Sequence, residues 1–525
     1  MFLRLFIAIS SLTFVLVLIV KGYLLVIKMA VFVLLAFAVV VGLLAREFYS
    51  WYRLSHVPGP FWHGITGFSM ALAALNGSIH EYYMELHEKY GPLVRIGPNT
   101  VMFSDGETLR KIAGARSRYT KGEWYAVGRT TPGEDHLFSM RDEEKRKYLK
   151  SKMGPGYAGI ENGGFEAGID KNIAAFVDLI DRKYISTAKE YRPMDMASKS
   201  TYFALDVISE LGFGTPYGFL KEDRDLYQYV STKDAFFPVM ITMGNVPWLA
   251  TLMHSWPLNL GLPKSGDSAG FGALMGFAKT FVDGRLAADT KPGRDMIQSF
   301  INAGLTRDEL TQEVYVETIA GSDTTATAIR MILLSLLSNP SAFAALRAEI
   351  DTAVSKRMIS SPIKDSESRF MPYLQAVIRE GLRLYPPSTG IVSKEVPGGG
   401  DVVHGYRLPA GVQLGENICS IGRSKEVFGP DAHLFRPERW IEAAMSDDEE
   451  RYKAMMSTTD LVFGSGKFYC MGRNIALMEL NKIFVELLRR YDFAIAKPEK
   501  PLRLWSAGFW ITHDFWLRIT KRSNR

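Results

Sequence analysis

Near its C-terminus the chain reads Phe463-Gly464-Ser465-Gly466-Lys467-Phe468-Tyr469-Cys470-Met471-Gly472, a glycine-rich loop around one cysteine. A helical pattern begins at about Gly472, so backbone N–H groups and the positive end of a helix dipole should face the Cys470 sulfur. Lys467 adds a positive charge three residues earlier. These effects favour the thiolate, the form of cysteine that binds metal ions. The sequence therefore predicts a metal-binding thiolate at Cys470, with a buried structural cysteine as the alternative.

The composition fits a globular protein in a reducing compartment. Of the 525 residues 47% are hydrophobic and 22% are charged, and the net charge of +6 is modest, so a nucleic-acid partner is not expected. The chain has 2 cysteines. If Cys470 binds a metal, no disulfide can form within the chain. Cys419 has neither a glycine loop nor a neighbouring cation, and we interpret it as a small packed residue.

The N-terminus predicts a membrane anchor. Residues 1–46 contain no acid, and two apolar runs, 5–20 and 29–45, flank Lys21 and Lys28. The second run is long enough to span a bilayer if Lys28 extends its charge toward the interface. A cleaved signal peptide is the alternative, but no small-x-small site precedes Lys21. We therefore predict a retained anchor over residues 1–48, with one or two transmembrane segments.

The rest of the chain is predicted to face the cytosol, because Arg46 and Arg53 follow the second apolar run. Pro58-Gly59-Pro60 indicates a stiff hinge over residues 49–60. Residues 61–525 show mostly helical apolar spacing, with short strands predicted at 93–96, 100–103, 402–408 and 509–519. The fold class is therefore mainly α with a minor β part, in one large domain.

The longest predicted helix covers residues 306–337. It begins at the capping box Thr306-Arg307-Asp308-Glu309 and ends before Pro340. Its middle, Ala320-Gly321-Ser322-Asp323-Thr324-Thr325, contains poor helix formers between apolar stretches. Threonine hydroxyls there can bond the carbonyl four residues earlier. Because this segment lowers the stability of the helix, we interpret Asp323 and Thr324 as candidate functional residues. A solvated polar face of the helix is the alternative.

A second helix carries Glu380 and Arg383, which lie one turn apart before Pro386. Such a pair alone is most simply a surface ion pair. A structural role for the pair is favoured because a second charged motif follows downstream, Phe435-Arg436-Pro437-Glu438-Arg439-Trp440.

Together these motifs resemble the cytochrome P-450 family, from Pro58 onward and in the expected order. The cysteine loop resembles the family's haem-binding loop, and residues 320–325 resemble its oxygen-activation motif. The resemblance implies a P-450-type fold and a haem b with Cys470 as the axial thiolate. It also implies a buried structural charge network of Glu380, Arg383 and Arg439.

The resemblance places haem contacts at Phe463, Gly464, Gly466, Lys467 and Gly472, where glycines let the backbone pass close to a flat group. Three positions depart from the family pattern. Lys467 stands where arginine is more common, and so does Lys394. No Trp-x-x-x-Arg is present; Arg146 and Lys150 are the nearest candidates for binding the haem propionates.

The activity implied by the resemblance is that of a haem-thiolate monooxygenase, with Asp323 and Thr324 delivering protons. No flavin or nicotinamide segment is recognisable, so electrons from NADPH would arrive through a separate flavoprotein reductase, with cytochrome b5 as a further candidate donor. The motifs look like those of fungal secondary-metabolism members of the endoplasmic reticulum. The resemblance also places substrate contacts in four segments rich in aromatic and apolar residues, 124–127, 236–240, 388–392 and 507–510, which suggest a hydrophobic substrate. The fungal style of the motifs suggests a terpenoid, alkaloid or polyketide intermediate. A haem-thiolate isomerase or dehydratase and a non-catalytic haem-binding membrane protein are the alternatives.

Overall fold

In the computed structural model, which describes residues 2–129, 134–160, 164–244, 252–253, 255–287 and 291–522, helices predominate and strands are short. The helices are α1 (Phe2–Arg53), α2 (Phe68–Leu75), α3 (Ile79–Tyr90), α4 (Gly106–Ala113), α5 (Glu143–Ala158), α6 (Glu166–Leu179), α7 (Met196–Phe213), α8 (Phe219–Glu222), α9 (Tyr229–Gly244), α10 (Gly270–Leu286), α11 (Met296–Asn302), α12 (Arg307–Leu337), α13 (Pro340–Ser355), α14 (Asp365–Ser368), α15 (Pro372–Leu384), α16 (Ile418–Ile421), α17 (Lys425–Phe428), α18 (Glu438–Met445), α19 (Glu449–Thr459) and α20 (Arg473–Leu488). The strands are β1 (Leu93–Gly97), β2 (Thr100–Phe103), β3 (Thr120–Lys121), β4 (Met194–Asp195), β5 (Lys394–Glu395), β6 (Asp401–Val403), β7 (Tyr406–Leu408), β8 (Gln413–Glu416), β9 (Tyr491–Ile495), β10 (Arg503–Ser506), β11 (Trp510–His513) and β12 (Trp516–Lys521). The predicted mainly α class is confirmed.

The strands form small sheets at the edge of the helical body. The largest has the order β1-β2-β8-β5-β3, and the others are β4-β12-β9, β10-β11 and β6-β7. The strands predicted at 93–96 and 100–103 are confirmed as β1 and β2. The single strands predicted at 402–408 and 509–519 are wrong, because each segment folds into two. His404 and Gly405 turn at φ 48° and 81°, and Asp514 turns at φ 62°. These left-handed positions reverse or redirect the chain where the residue pattern looked extended.

Helix α12 runs through the middle of the body. It has 31 residues, which gives a length of about 46 Å. The predicted capping box is confirmed: Thr306 accepts a hydrogen bond from the Glu309 N–H, and the Glu309 carboxylate accepts one from the Thr306 N–H. α12 packs most extensively against α7. A Cβ on Gly321 would lie 2.7 Å from Ile208 on α7, so the glycine permits this close approach.

The two N-terminal apolar runs lie in one continuous helix, α1, of 52 residues or about 78 Å. Among the residues that the structure describes, one helical segment near the N-terminus, Val20–Arg53, is long and apolar enough to cross a membrane, and it is not buried in the protein. The run 5–20 continues along the same helix rather than forming a second one. The terminal residues 1 and 523–525 of the predicted domains lie outside the described residues.

The end of α1 is fixed to the body by one buried arginine. Arg95 on β1 donates hydrogen bonds to the carbonyls of Ser50 and Trp51, at 3.0 and 2.9 Å, and to the carbonyl of Gly64 at 3.2 Å. The last carbonyls of a helix have no partner within it, and a cation stabilises that end of the helix dipole. The Arg95 N–H also donates to the Pro58 carbonyl at 2.7 Å. The segment predicted as a hinge is therefore attached to the sheet at several points.

A buried charge cluster joins α15 to the segment before α18. Glu380 is fully buried and accepts hydrogen bonds from Arg383 and from the Arg439 Nε at 2.9 Å. The Trp440 indole N–H donates to its second oxygen at 3.0 Å. Arg439 also pairs with Asp431 at 2.8 Å. Each guanidinium bonds further carbonyls, so the charges are fully paired, as burial requires.

We predict that Glu380→Gln destabilises the protein strongly, because it leaves two buried guanidinium groups without their shared carboxylate. Breaking a buried pair in this way costs about 3–5 kcal/mol. Thermal unfolding followed by circular dichroism measures the loss. Glu442→Gln is the matched control: it breaks the exposed Arg436–Glu442 pair and should cost below about 1 kcal/mol. Equal melting temperatures for the two variants would contradict the network's role.

Candidate active site

The cysteine loop is closed by its own backbone. The Cys470 N–H donates to the Phe463 carbonyl at 2.8 Å, and Gly464 and Gly466 adopt φ values of 76° and 50°. α20 begins directly after Gly472, as predicted. A Cβ on Gly466 would lie 2.1 Å from the Ala113 carbonyl on α4. The Gly466 position thus serves backbone packing against α4, and Gly466 is not among the residues that line the cavity described below.

Cys470 is exposed and lines that internal cavity. Burial raises the pKa of the Cys470 thiol, whereas the N–H groups of Gly472 and Arg473 and the Lys150 charge lower it. The expected backbone donors are therefore present and act toward the thiolate, but burial is the larger effect and the pKa of the thiol is raised overall. A bound metal ion would supply the missing charge, since a coordinated thiol is deprotonated.

Four predicted cations line one wall of the cavity: Arg146, Lys150, Lys394 and Lys467. Arg146 and Lys150 donate to the Lys467 carbonyl at 3.0 and 2.9 Å, so α5 is attached to the cysteine loop. The Lys467 ammonium lies 3.1 Å from Glu143.

Lys394 on β5 is paired with Glu416 on β8 at 3.0 Å, so this cation already has a carboxylate partner within the protein. This pairing was not predicted, because Glu416 is 22 residues away from Lys394 and no local motif connects them.

Above the thiol, α12 contributes Thr324 and Asp323. The Thr324 hydroxyl donates to the Ala320 carbonyl at 2.7 Å, which confirms the expected bond to the preceding turn, although the helix stays continuous. Asp323 is buried and lies 2.6 Å from Lys233 and 3.5 Å from Arg330. Burial alone would raise the pKa of Asp323, but these two cations lower it below its usual value.

A chain of charges leads from Asp323 to the surface. Lys233 on α9 also lies 3.0 Å from Asp234, which lies 3.5 Å from His513 on β11. The His513 side chain is 34% exposed. The carboxyl group next to the cavity is therefore connected to a solvent-accessible imidazole.

The cavity has a volume of about 510 Å³. Cys470 and Thr324 both line it, and aromatic and aliphatic side chains from four separate segments complete its wall: Trp124, Phe236, Phe237, Met240, Val392 and Phe509. The segments 124–127, 236–240, 388–392 and 507–510 were identified from the sequence as apolar and substrate-contacting, and the structure brings them together. Such a lining suits an apolar small molecule.

The Cytochrome P450 family model matches residues 57–511. The chain belongs to the cytochrome P450 family. It is 40% identical to Cytochrome P450 monooxygenase ABA1 of Pyricularia oryzae over 479 residues, which cover 90% of this chain and 93% of that protein. Identity to monooxygenase aba1 of Botryotinia fuckeliana is 37%, covering 86% and 89% of the two chains. Identity to monooxygenase cicH of Emericella nidulans is 31%, covering 90% and 94%. The chain is a cytochrome P450 monooxygenase.

The residues of this P450 fit the haem-thiolate iron that the family implies. Cys470 supplies a thiol at the cavity, and the cations on one wall suit the acidic arms of a haem. A Cβ on Gly472 would have only the Cys470 sulfur within 4 Å, at 3.9 Å, so the space beside the thiol is open. Phe463, Gly464, Lys467 and Gly472, the expected haem contacts, line the cavity.

Sequence reasoning missed several polar residues in and around this P450 cavity. Lys233, which pairs with Asp323, lies on α9, and Arg330 lies about two turns further along α12. Glu313 and Glu317 line the cavity. The stretch before Gly321 was interpreted as apolar. The lone glutamate within that stretch was the available signal, because an acid among buried residues requires a reason.

Cys470→Ala should abolish the thiolate-type absorption of the reduced, CO-bound P450 and all turnover, because no other described cysteine reaches the cavity. Cys419→Ala is the control: Cys419 is fully buried, burial raises the pKa of its thiol to about 11, and it does not line the cavity. It should leave both properties nearly intact. A normal CO spectrum from Cys470→Ala would refute the assignment.

Proposed function

We propose that this P450 inserts one oxygen atom from O2 into a hydrophobic small molecule of fungal secondary metabolism, a terpenoid, alkaloid or polyketide intermediate. The observation that carries the proposal is that Cys470, Asp323 and Thr324 line one cavity together with many apolar side chains. The fungal relatives and the apolar lining support the substrate class. The outcome is hydroxylation, epoxidation or a further oxidation.

The overall reaction consumes substrate, O2, two electrons and two protons, and yields the oxygenated product and water. The haem, when bound through Cys470, supplies the oxygen activation. The protein residues hold the substrate, exclude water and provide protons. The Thr324 hydroxyl donates its proton to the Ala320 carbonyl, so its oxygen presents lone pairs to the cavity and can hold a proton-carrying water there. Asp323 supplies protons received along Lys233, Asp234 and His513. Cys470, Arg146, Lys150, Lys394 and Lys467 would hold the haem, with Phe463, Gly464, Gly466 and Gly472 shaping its loop.

Electrons would come from NADPH through a separate flavoprotein reductase, with cytochrome b5 as a further candidate donor. Lys145 and Lys147 are exposed on α5, whose neighbouring Lys150 donates to carbonyls of the cysteine loop. This basic surface beside the haem loop suits an acidic partner.

We further propose that residues 1–48 anchor the protein in the endoplasmic reticulum, with residues 49–60 as the connection and residues 61–525 as the catalytic domain in the cytosol. The apolar, unburied segment Val20–Arg53 supports the anchor. Arg46 and Arg53 support the orientation.

The test is to express the enzyme with a fungal reductase in microsomes and to feed extracts of candidate intermediates. NADPH should produce a compound heavier than its precursor by one oxygen atom, and the Cys470→Ala microsomes should not. A product of unchanged mass, formed without NADPH, would show the alternative isomerase activity. CO spectra of normal type without any NADPH-dependent oxidation would contradict monooxygenation.

Thr324→Ala should leave haem content normal and divert NADPH electrons to peroxide, because the cavity loses the hydroxyl oxygen that holds a proton-carrying water. Product formed per NADPH consumed measures this coupling. Thr311→Ala is the matched control, since Thr311 makes the same bond to the preceding turn on an exposed part of α12. Unchanged coupling in Thr324→Ala would contradict the role of Thr324.

Asp323→Asn should slow reductase-driven turnover about 100-fold or more, since a positioned general acid typically contributes at least that much. The variant keeps the shape of the side chain while removing its charge between Lys233 and Arg330. A matching loss of haem would instead point to a structural role, so haem content is measured in parallel.

Removing residues 1–45 should shift the P450 partly into the soluble fraction and leave its CO spectrum intact. The truncation retains Ser50 and Trp51, so the Arg95 bonds survive. Turnover with a membrane-bound reductase should fall more than peroxide-driven turnover, because a shared membrane raises the effective concentration of two partners. A truncated protein that fails to bind haem would contradict the proposed domain boundary.

A further inference from the structure

A row of three carboxyl groups follows one side of α12: Glu309, Glu313 and Glu317. They are spaced four residues apart, so successive members lie about 6 Å apart along the helix axis. Glu309 lies in the first turn of α12 at the solvent-facing end, where it caps Thr306. Glu313 and Glu317 are only 2% and 3% exposed. The row therefore leads from the surface into the interior.

The middle carboxyl group, Glu313, is held at the cavity wall by a backbone N–H. Its Oε1 accepts a hydrogen bond of 2.6 Å from Leu137. Burial raises the pKa of Glu313 to about 7, with Glu309 adding to the increase and the Leu137 N–H and Lys121 opposing it. Lys121 lies nearby because its ammonium donates to the Leu137 and Phe138 carbonyls. Glu313 can therefore gain and lose a proton near neutral pH.

The innermost carboxyl group, Glu317, has no standard hydrogen-bond partner on either oxygen among the described residues. Burial raises the pKa of Glu317 well above the usual value, and Glu313 and Asp295 raise it further. Only the Tyr157 hydroxyl acts to lower this pKa. An ionised carboxylate there would be buried and uncompensated. The buried position of Glu317 therefore favours its protonated form, and Glu317 lines the same cavity as Thr324.

The helical register connects this row with Thr324. Seven residues separate Glu317 from Thr324, which is nearly two full turns, so both lie on one face of α12 about 10 Å apart along the axis. Asp323 is rotated by about 100° from that face and is held by Lys233 and Arg330. The carboxyl row therefore reaches Thr324 without passing through Asp323.

We propose that Glu309, Glu313 and Glu317 conduct protons along α12 from solvent to the cavity beside Thr324, as a second route in parallel with the Asp323 route. In each step one carboxyl group gives its proton, through water, to the next acceptor and is reprotonated by the group before it. No electrons move and no other bond changes. The use of this route in turnover rests on the proposed monooxygenase function, which consumes two protons per cycle.

The direct test needs neither substrate nor reductase. Infrared spectra of the full-length holoenzyme should show a protonated-carboxyl band that is missing in Glu317→Gln. On transfer to D2O this band should shift as its proton exchanges. Glu313→Gln should slow that exchange at least 10-fold, because an amide cannot pass the proton on. Asp308→Asn, an exposed acid in the same turn as Glu309, should leave the exchange rate unchanged.

The proposal is overturned if Glu317→Gln removes no such band, or if the exchange is equally fast in Glu313→Gln. Haem content and the CO spectrum are measured for each variant, so that misfolding is recognised. In turnover, the Glu317→Gln/Asp323→Asn double variant blocks both routes. Its fold-loss of reductase-driven activity should therefore exceed the product of the fold-losses of the two single variants. A fold-loss equal to that product would mean that the two acids do not serve parallel routes. Because the exchange measurement is independent of turnover, failure of the proposed oxidation would be recognised separately.

Discussion

The buried carboxylate of Glu380 is the constraint on which the position of the cysteine loop depends. Four donors from two segments converge on it: Arg383 from its own helix, and the Arg436 N–H, Arg439 and Trp440 from the segment that starts α18. α15, which carries Glu380, also packs against α12, since a Cβ on Gly381 would lie 2.2 Å from Ile332. One helix therefore contacts both the central helix and the chain that leads to Cys470.

Three of the acidic groups that line the cavity of this P450 have different surroundings, and each therefore suits a different task. Lys233 and Arg330 lower the pKa of Asp323 despite its burial. Burial raises the pKa of Glu317 well above its usual value, and no described cation acts against this increase. Burial likewise raises the pKa of the Cys470 thiol, whose deprotonation then depends on a bound metal. The same low-polarity interior thus shifts the pKa values of these three groups in different ways, so that Asp323, Glu317 and Cys470 suit different roles within one cavity.

Much of this arrangement could be predicted from the sequence, because short motifs indicate helix ends and functional residues. The cap at Thr306 and the start of α20 after Gly472 follow from short motifs, and the family resemblance implied the cluster of Glu380, Arg383 and Arg439. The hairpin at His404 and the break between β11 and β12 at Asp514 were missed, since the residues around them look extended. The partners of Asp323 and Lys394 were also missed. Lys233 and Glu416 meet these residues only after folding, and no spacing rule connects them.

The central claim is that the Cys470 sulfur binds the haem iron, and X-ray absorption at the iron edge of the purified full-length enzyme tests it most directly. The account predicts one sulfur neighbour at bonding distance in the wild-type protein and none in Cys470→Ser, with the ring nitrogens unchanged in both. The wild-type enzyme and Cys419→Ser should give identical spectra. Iron surrounded only by nitrogen and oxygen in the wild-type protein would contradict the account.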